Sequence, residues 1–283
     1  MRDGEPGTSA LVARTVGTSQ WCVAAGRLAL AFVVLAAWHV SADVAGPRYS
    51  ADPLAVLQRL IESTMSGVMT QHVRATLPLA ILGFAAGCAA GVALPLLLYP
   101  HPRLTAALEP YIVASAGIPK YAVVPLLILW LGIDEAPKLW LVGLLVFYPV
   151  FIGVLAGTRA VDRRLLHMVH VLGAGTFGAA RLVVWPSMLP SFFAALSVAV
   201  PRAVSAAIIG ELLVGHDGIG SLIESARQNV DTVGVFAGVA VATALVVAAT
   251  ALVRHIERRA VAWRPNEPQL PFSAFSAPWR SLR

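Results

Sequence analysis

The sequence predicts an all-α, polytopic membrane protein with six transmembrane helices, and three observations carry that prediction. Apolar residues make up 58% of the 283-residue chain and charged residues only 13%. With a mean hydropathy of +0.75, this is not the composition of an ordinary water-soluble domain. Six stretches, 24–40, 77–98, 111–131, 139–157, 192–214 and 232–253, approach or exceed the roughly 20 helical residues needed to cross a hydrocarbon layer of about 30 Å. The second, fourth and sixth hold no charged residue, and none shows the two-residue alternation of a membrane barrel strand.

Charge placement orients the helices. If the N-terminus is cytoplasmic, one side collects Arg2, Arg14, Arg27, Arg103, Arg159, Arg163, Arg164, Arg181, Arg254, Arg258, Arg259, Arg264, Arg280 and Arg283, while the other holds Arg48, Arg59, Arg74, Lys138 and Arg227 beside Asp134, Glu135, Asp217, Glu224 and Asp231. That asymmetry follows the positive-inside rule and puts both termini in the cytoplasm. The net charge of +6 is thereby accounted for, and no nucleic-acid partner is expected. Cys22 and Cys88 lie in or beside apolar spans, which indicates neither a disulfide framework nor a metal site.

The first apolar run is longer than the core of a secretory signal, and its removal would upset the charge asymmetry, so it is expected to stay as a span. Residues 1–20 and the Pro-rich 265–283 read as cytoplasmic tails, leaving 21–264 as the membrane domain.

Gly83, Gly87 and Gly91 recur at every fourth position and clear one helix face for close approach by another helix of this chain or of a second copy. Gly117, Pro119 and Pro125 in the third span and Pro201 in the fifth predict kinks or breaks. Irregular backbone at membrane depth is tolerated where protein or a cavity surrounds it, so these two spans are expected to line a pathway. They also carry the deeply placed charges Lys120, Arg202 and Glu211, each costly enough in a bilayer to require a partner or water. Facing a cavity, two positives and one negative favour an anionic solute. In the other reading, Glu211 pairs with Lys120 and Arg202 bonds backbone carbonyls.

Thr158–Pro190 is a basic segment of 33 residues between two apolar spans. Within it, RRLLHMVHVL places Arg163, His167 and His170 on one helical face and Leu165, Met168, Val169 and Leu172 on the other, with Arg164 beside them. Gly173 then ends the helix. His167 and His170 stand at metal-ligand spacing, but no nearby acid or Cys completes a site. An amphipathic helix inserted in a groove of a soluble partner fits better than one lying flat on the lipid.

Gly173, Pro186 and Pro190, in a cytoplasmic loop between the fourth and fifth of six spans, resemble the coupling loop of ABC importer permeases of the binding-protein-dependent type. The closest likeness is to the nitrate, sulfonate and taurine permeases. PLLILWLGI (125–133), AGTRAVD (156–162), the embedded Glu211 and GIGSLI (218–223) extend it over residues 70–262. The family loop opens with Glu-Ala-Ala, then Arg; here those places hold His167, Met168, Val169 and His170, and Trp185 replaces a small aliphatic residue.

The resemblance implies the type I importer permease fold in a bacterial cytoplasmic membrane. It implies a homodimer forming the pathway, two cytoplasmic ATPase subunits gripping the loop 158–190, and a periplasmic or extracellular solute-binding protein. Surrounding lipid completes the set of partners. No G-x-x-x-x-G-K-[ST] occurs, so no cofactor is expected on this chain and ATP with magnesium belongs to the partner. No catalytic residues are expected. An intramembrane serine protease would need a G-x-S-G segment, which is absent. A gradient-driven transporter would usually show repeated halves with midplane carboxylates, where Glu211 stands alone.

Overall fold

A computed structural model describes residues 8–46, 48–215 and 217–261. The described residues fold as helices and turns, in the order α1 (Thr8–Ala45), α2 (Pro53–Met65), α3 (Val68–Leu98), α4 (Pro102–Ala116), a 3₁₀ turn (Lys120–Val123), α5 (Val124–Leu131), α6 (Glu135–Arg159), α7 (Arg163–Val171), α8 (Thr176–Ala179), a π turn (Ala180–Val184), α9 (Trp185–Val214), α10 (Ile219–Gln228) and α11 (Thr232–Ala260). Among these, five segments are long and apolar enough to cross a membrane. There are six if α4 and the helical segment 120–131, bent by 85° at a short break, count as one. The break spans Gly117–Pro119, where the sequence places a Gly and a Pro, and Pro125 falls in the first turn of α5. There its missing N–H costs no internal bond.

Three expectations need correction. Helix α1 begins at Thr8, inside the expected N-terminal tail of residues 1–20; residues 1–7 and the expected tail 265–283 lie outside the described residues. Pro201 does not break its span, since α9 runs through both Pro190 and Pro201. The irregularity lies upstream instead. The Trp185 N–H reaches back to the Ala180 carbonyl, one residue farther than an α turn, immediately before Pro186; such wide turns accommodate a residue that cannot donate. Finally, α2 and α10 were not foreseen as helices. The signal for α2 was present in Asp52-Pro53: the Asp52 side chain accepts from the Leu54 N–H and Pro53 occupies the first turn.

The contacts divide the chain into two compact units, one of Met1–Ile81, Val124–Leu139 and Ser205–Leu245, the other of Leu82–Val123, Trp140–Val204 and Val246–Arg283. In the first, Trp38 of α1 stacks on Phe236 of α11 with ring centroids 5.7 Å apart. Ala51, Val56 and Ala237 are buried with them, and Leu60 and Val233 pack alongside. The Arg59 guanidinium lies 3.1 Å from Asp231, tying α2 to the start of α11.

In the second unit α6 supplies the core. Val142, Val146, Val150 and Val154, four residues apart on one ridge, are fully buried. A Cβ at Gly87 of α3 would run into the Gly143 carbonyl of α6, and one at Gly91 would stand 2.9 Å from Val150 Cβ. One at Gly143 would lie 3.6 Å from the Gly83 carbonyl. These glycines therefore serve helix packing within one chain, where backbone proximity gives dispersion contacts that lipid offers no hydrophobic drive to replace. On α6 the close approach recurs against α9: a Cβ at Gly153 would collide with Ala195, and one at Gly157 would sit 2.9 Å from Met188 Cβ.

Gly87→Val should therefore force α3 off α6 at a cost of about 1–3 kcal/mol. Gly26→Val, whose Cβ meets nothing within 4 Å, should be neutral. Thermal unfolding of the detergent-solubilised full chain checks both, and equal midpoints for the two variants would contradict this packing.

Candidate functional site

Three constellations hold the residues that the sequence singled out. The first is the turn around α7. Asp162 caps the helix by accepting the Arg164 N–H at 2.8 Å. At the other end Gly173 adopts φ +84°, and the N–H groups of Ala174 and Gly173 return to the carbonyls of Val169 and His170, both at 3.0 Å. Those two bonds form a Schellman motif, which requires the left-handed conformation that Gly adopts without strain. Leu166 and Val169 pack against Val161, Val183 and Val184, so only part of the apolar surface of α7 faces inward. Leu165, Met168, Val171 and Leu172 remain exposed, Met168 by 59% and Val171 by 87%. His167 is exposed, and the His170 ring Nδ1 donates to the Leu166 carbonyl at 2.7 Å. Upstream, Arg159 donates to both carboxylate oxygens of Glu109, at 2.7 and 2.5 Å, joining α4 to the end of α6. Nothing in the sequence around Glu109 could have marked that pairing across 50 residues.

The second constellation is a cavity of about 510 Å³ lined by Lys120, Tyr148 and Arg202 with Ser191 and a set of small residues including Gly153 and Ala195. Lys120 opens the 3₁₀ turn after the helix break. Its ammonium donates to the carbonyls of Ala116 and, at 3.3 Å, Ile118, and lies 4.5 Å over the Tyr148 ring. Ser115 gives its single proton to the Ile112 carbonyl at 2.7 Å, so in the 3.0 Å contact between Ser115 and Tyr148 the phenol is the donor. No Asp or Glu stands among the described residues lining the cavity. Lys120 and Arg202 thus bring two cations to one apolar-walled space.

Glu211 is not among the residues lining it, and in place of the alternative pairing with Lys120 it finds its partners at Thr76 and Gly220. The side chain is 2% exposed, and its Oε2 accepts from the Thr76 hydroxyl and the Gly220 N–H, both at 2.9 Å. Thr76 in turn accepts the Ile219 N–H at 2.9 Å. Together Glu211 and Thr76 satisfy two of the unpaired amides at the N-terminus of α10, where the helix dipole also favours a carboxylate. The glycines of GIGSLI follow from that arrangement. Gly218 has φ +107°, and a Cβ there would collide with the carboxylate, while one at Gly220 would stand 2.6 Å from Glu211 Cβ. At the far end of α10, Arg227 donates to Glu224 at 2.8 and 2.5 Å, and Gln228 at 2.9 Å. These bonds push the Glu224 carboxyl down to about 2.

Glu211→Ala leaves the buried Gly220 N–H without an acceptor and should destabilise α10 by about 1–3 kcal/mol, read as faster amide exchange along it. Protection equal to that of the unaltered chain would mean that α10 is held by other contacts.

Comparison with known proteins adds the family. Residues 72–261 match the family described as the binding-protein-dependent transport system inner membrane component. The formylaminopyrimidine transport permease protein of Halalkalibacterium halodurans is 30% identical over 236 residues, covering 83% of this chain and 94% of the relative. The putative aliphatic sulfonates transport permease protein of Bacillus subtilis is 30% identical over 239 residues, covering 84% and 87%. The taurine transport system permease protein of Escherichia coli is 27% identical over 238 residues, covering 82% and 86%. The chain belongs to the binding-protein-dependent family of transport-system inner membrane components, and is a multi-pass ABC importer permease.

Proposed function

We propose that two copies of this chain form the translocation path for a small anion such as a sulfonate, taurine, nitrate or bicarbonate. Both termini and α7 lie on the cytoplasmic side, with the solute-binding protein docking on the opposite side. ATP hydrolysis by the ATPase partner drives transport, with α7 passing its movement to the helices. The observation that carries this reading is the cavity flanked by Lys120 and Arg202, with no acid among the described lining residues. Cations that are not neutralised by a neighbouring carboxylate stabilise an anion most where the surroundings are apolar. The exposed Leu165, Met168 and Leu172 support the docking part: they recur along one face of α7 as anchors for a groove. Arg164, His167 and His170 supply the polar part of that contact, and Gly173, Pro186 and Pro190 shape the loop that presents it; the side chain of Arg163, which the sequence groups with them, lies outside the described residues.

A second reading has its own support. The cavity wall is mostly aliphatic, and one relative at 30% identity is named for formylaminopyrimidine, so an uncharged heterocycle is the alternative cargo.

Uptake into vesicles holding the reconstituted complex separates these. Arg202→Gln and Lys120→Gln should each lower ATP-dependent uptake of a sulfonate by about tenfold or more, the equivalent of roughly 1.4 kcal/mol, with ATPase co-purification unchanged. Uptake unaffected in both variants would favour the uncharged cargo. Uptake that continues without ATP on an ion gradient would point to a gradient-driven transporter instead.

A further inference from the structure

Helix α2 divides into three sectors. With Val56 as the origin and 100° per residue, Val56 and Leu60 occupy roughly 0–40°, Leu57, Ile61, Leu54 and Met65 roughly 100–180°, and Gln58, Glu62 and Arg59 roughly 200–300°. The first sector is packed, Val56 being buried among Ala51 and Ala237 with Leu60 against them. The aliphatic second sector is exposed along its whole length, and the polar third is exposed as well.

A helix at a protein–water boundary needs only two sectors, buried and polar. A third, aliphatic sector between them calls for a third environment. The connections identify it: α1, whose outer face is exposed aliphatic surface, ends at Ala45 and α3 begins at Val68. Only residues 46–52 and 66–67 separate α2 from these two spans, so α2 cannot leave the level at which both meet the membrane surface. Its orientation is fixed by the Arg59 to Asp231 ion pair at 3.1 Å and by the hydrogen bond from the Thr232 hydroxyl to the Arg48 carbonyl at 3.2 Å. Both hold the segment to the first turn of α11.

We propose that α2 is an interfacial helix. Its Leu54, Leu57, Ile61 and Met65 stripe lies in the acyl margin of the leaflet where α1 ends, and its Gln58, Arg59 and Glu62 face lies in water. The lipid surface is the partner, continuous with the lipid that α1 already meets, and the assignment rests on α1 and α3 spanning the membrane. A stripe so placed anchors the α2 to α11 junction at a fixed depth.

Site-directed spin labelling tests this in the full chain reconstituted in phosphatidylcholine and phosphatidylglycerol vesicles, after replacement of Cys22 by Ser and Cys88 by Ala. Labels at Leu57→Cys and Ile61→Cys should be several-fold more accessible to oxygen than to a water-soluble nickel chelate. Gln58→Cys and Glu62→Cys should show the reverse. Val33→Cys, exposed on α1, reports the spanning helix itself. Stripe labels that read as water, or that are immobilised and shielded from both reagents as at a contact with a second copy or another protein, overturn the proposal while Val33 still reads as lipid. A water-like reading at Val33 as well would overturn the spanning role of α1, and the proposal with it.

Discussion

A backbone N–H or C=O inside a bilayer has no water to bond, so every one must be satisfied by the chain itself, and the rest of this structure follows from that constraint. It makes helices the only workable element among the described segments and concentrates attention on their ends and breaks. Where α10 starts, the freed amides are met by Thr76 and the buried Glu211. Outside the spans, where α7 stops, Gly173 turns the chain so that the N–H groups of Ala174 and Gly173 bond two of the last carbonyls. Where the third span breaks at Gly117–Pro119, the Lys120 ammonium covers the Ala116 and Ile118 carbonyls. The same cation that borders the cavity thus also seals the break beside it.

The second consequence concerns packing. Lipid is as apolar as a leucine side chain, so helices associate by fitting closely rather than by escaping water. Gly87 against Gly143, Gly91 against Val150 and Gly153 against Ala195 bring α3, α6 and α9 into that contact in the second unit. A larger side chain at Gly153 would separate α6 from α9, the helices that carry Tyr148 and Arg202, so this glycine maintains the cavity it helps to line.

Much of this was legible in the sequence, for physical reasons that also mark where reading stopped. Spans show as apolar runs because a bilayer demands length, and the break at Gly117–Pro119 shows because Pro removes a donor. The end of α7 shows because the left-handed turn at Gly173 needs a residue without a Cβ. The job of Glu211 was hidden: its partner Thr76 is 135 residues away, and a lone acid in an apolar run looks the same whether it faces a cavity or caps a helix. The local cue was the pair of glycines at 218 and 220, whose missing side chains make room for the carboxylate. Likewise Gly83, Gly87 and Gly91 announced one helix face, but Gly143, Gly153 and Gly157 on the facing helix follow no four-residue repeat throughout and gave no such signal.

In the proposed transporter, the α7 turn would join this membrane fold to its energy source. It is capped at both ends, half anchored by Leu166 and Val169, and leaves a short apolar stripe uncovered. The decisive measurement is affinity purification of the tagged full chain from its native membrane in mild detergent, comparing the unaltered protein with Met168→Asp and Gly173→Trp. Retention of an ATPase subunit by the unaltered chain and its loss from both variants, with the fold intact by thermal unfolding, is the predicted result. An ATPase held equally by all three would contradict docking through α7, and the absence of any ATPase from the unaltered chain would contradict the ATP-driven importer itself.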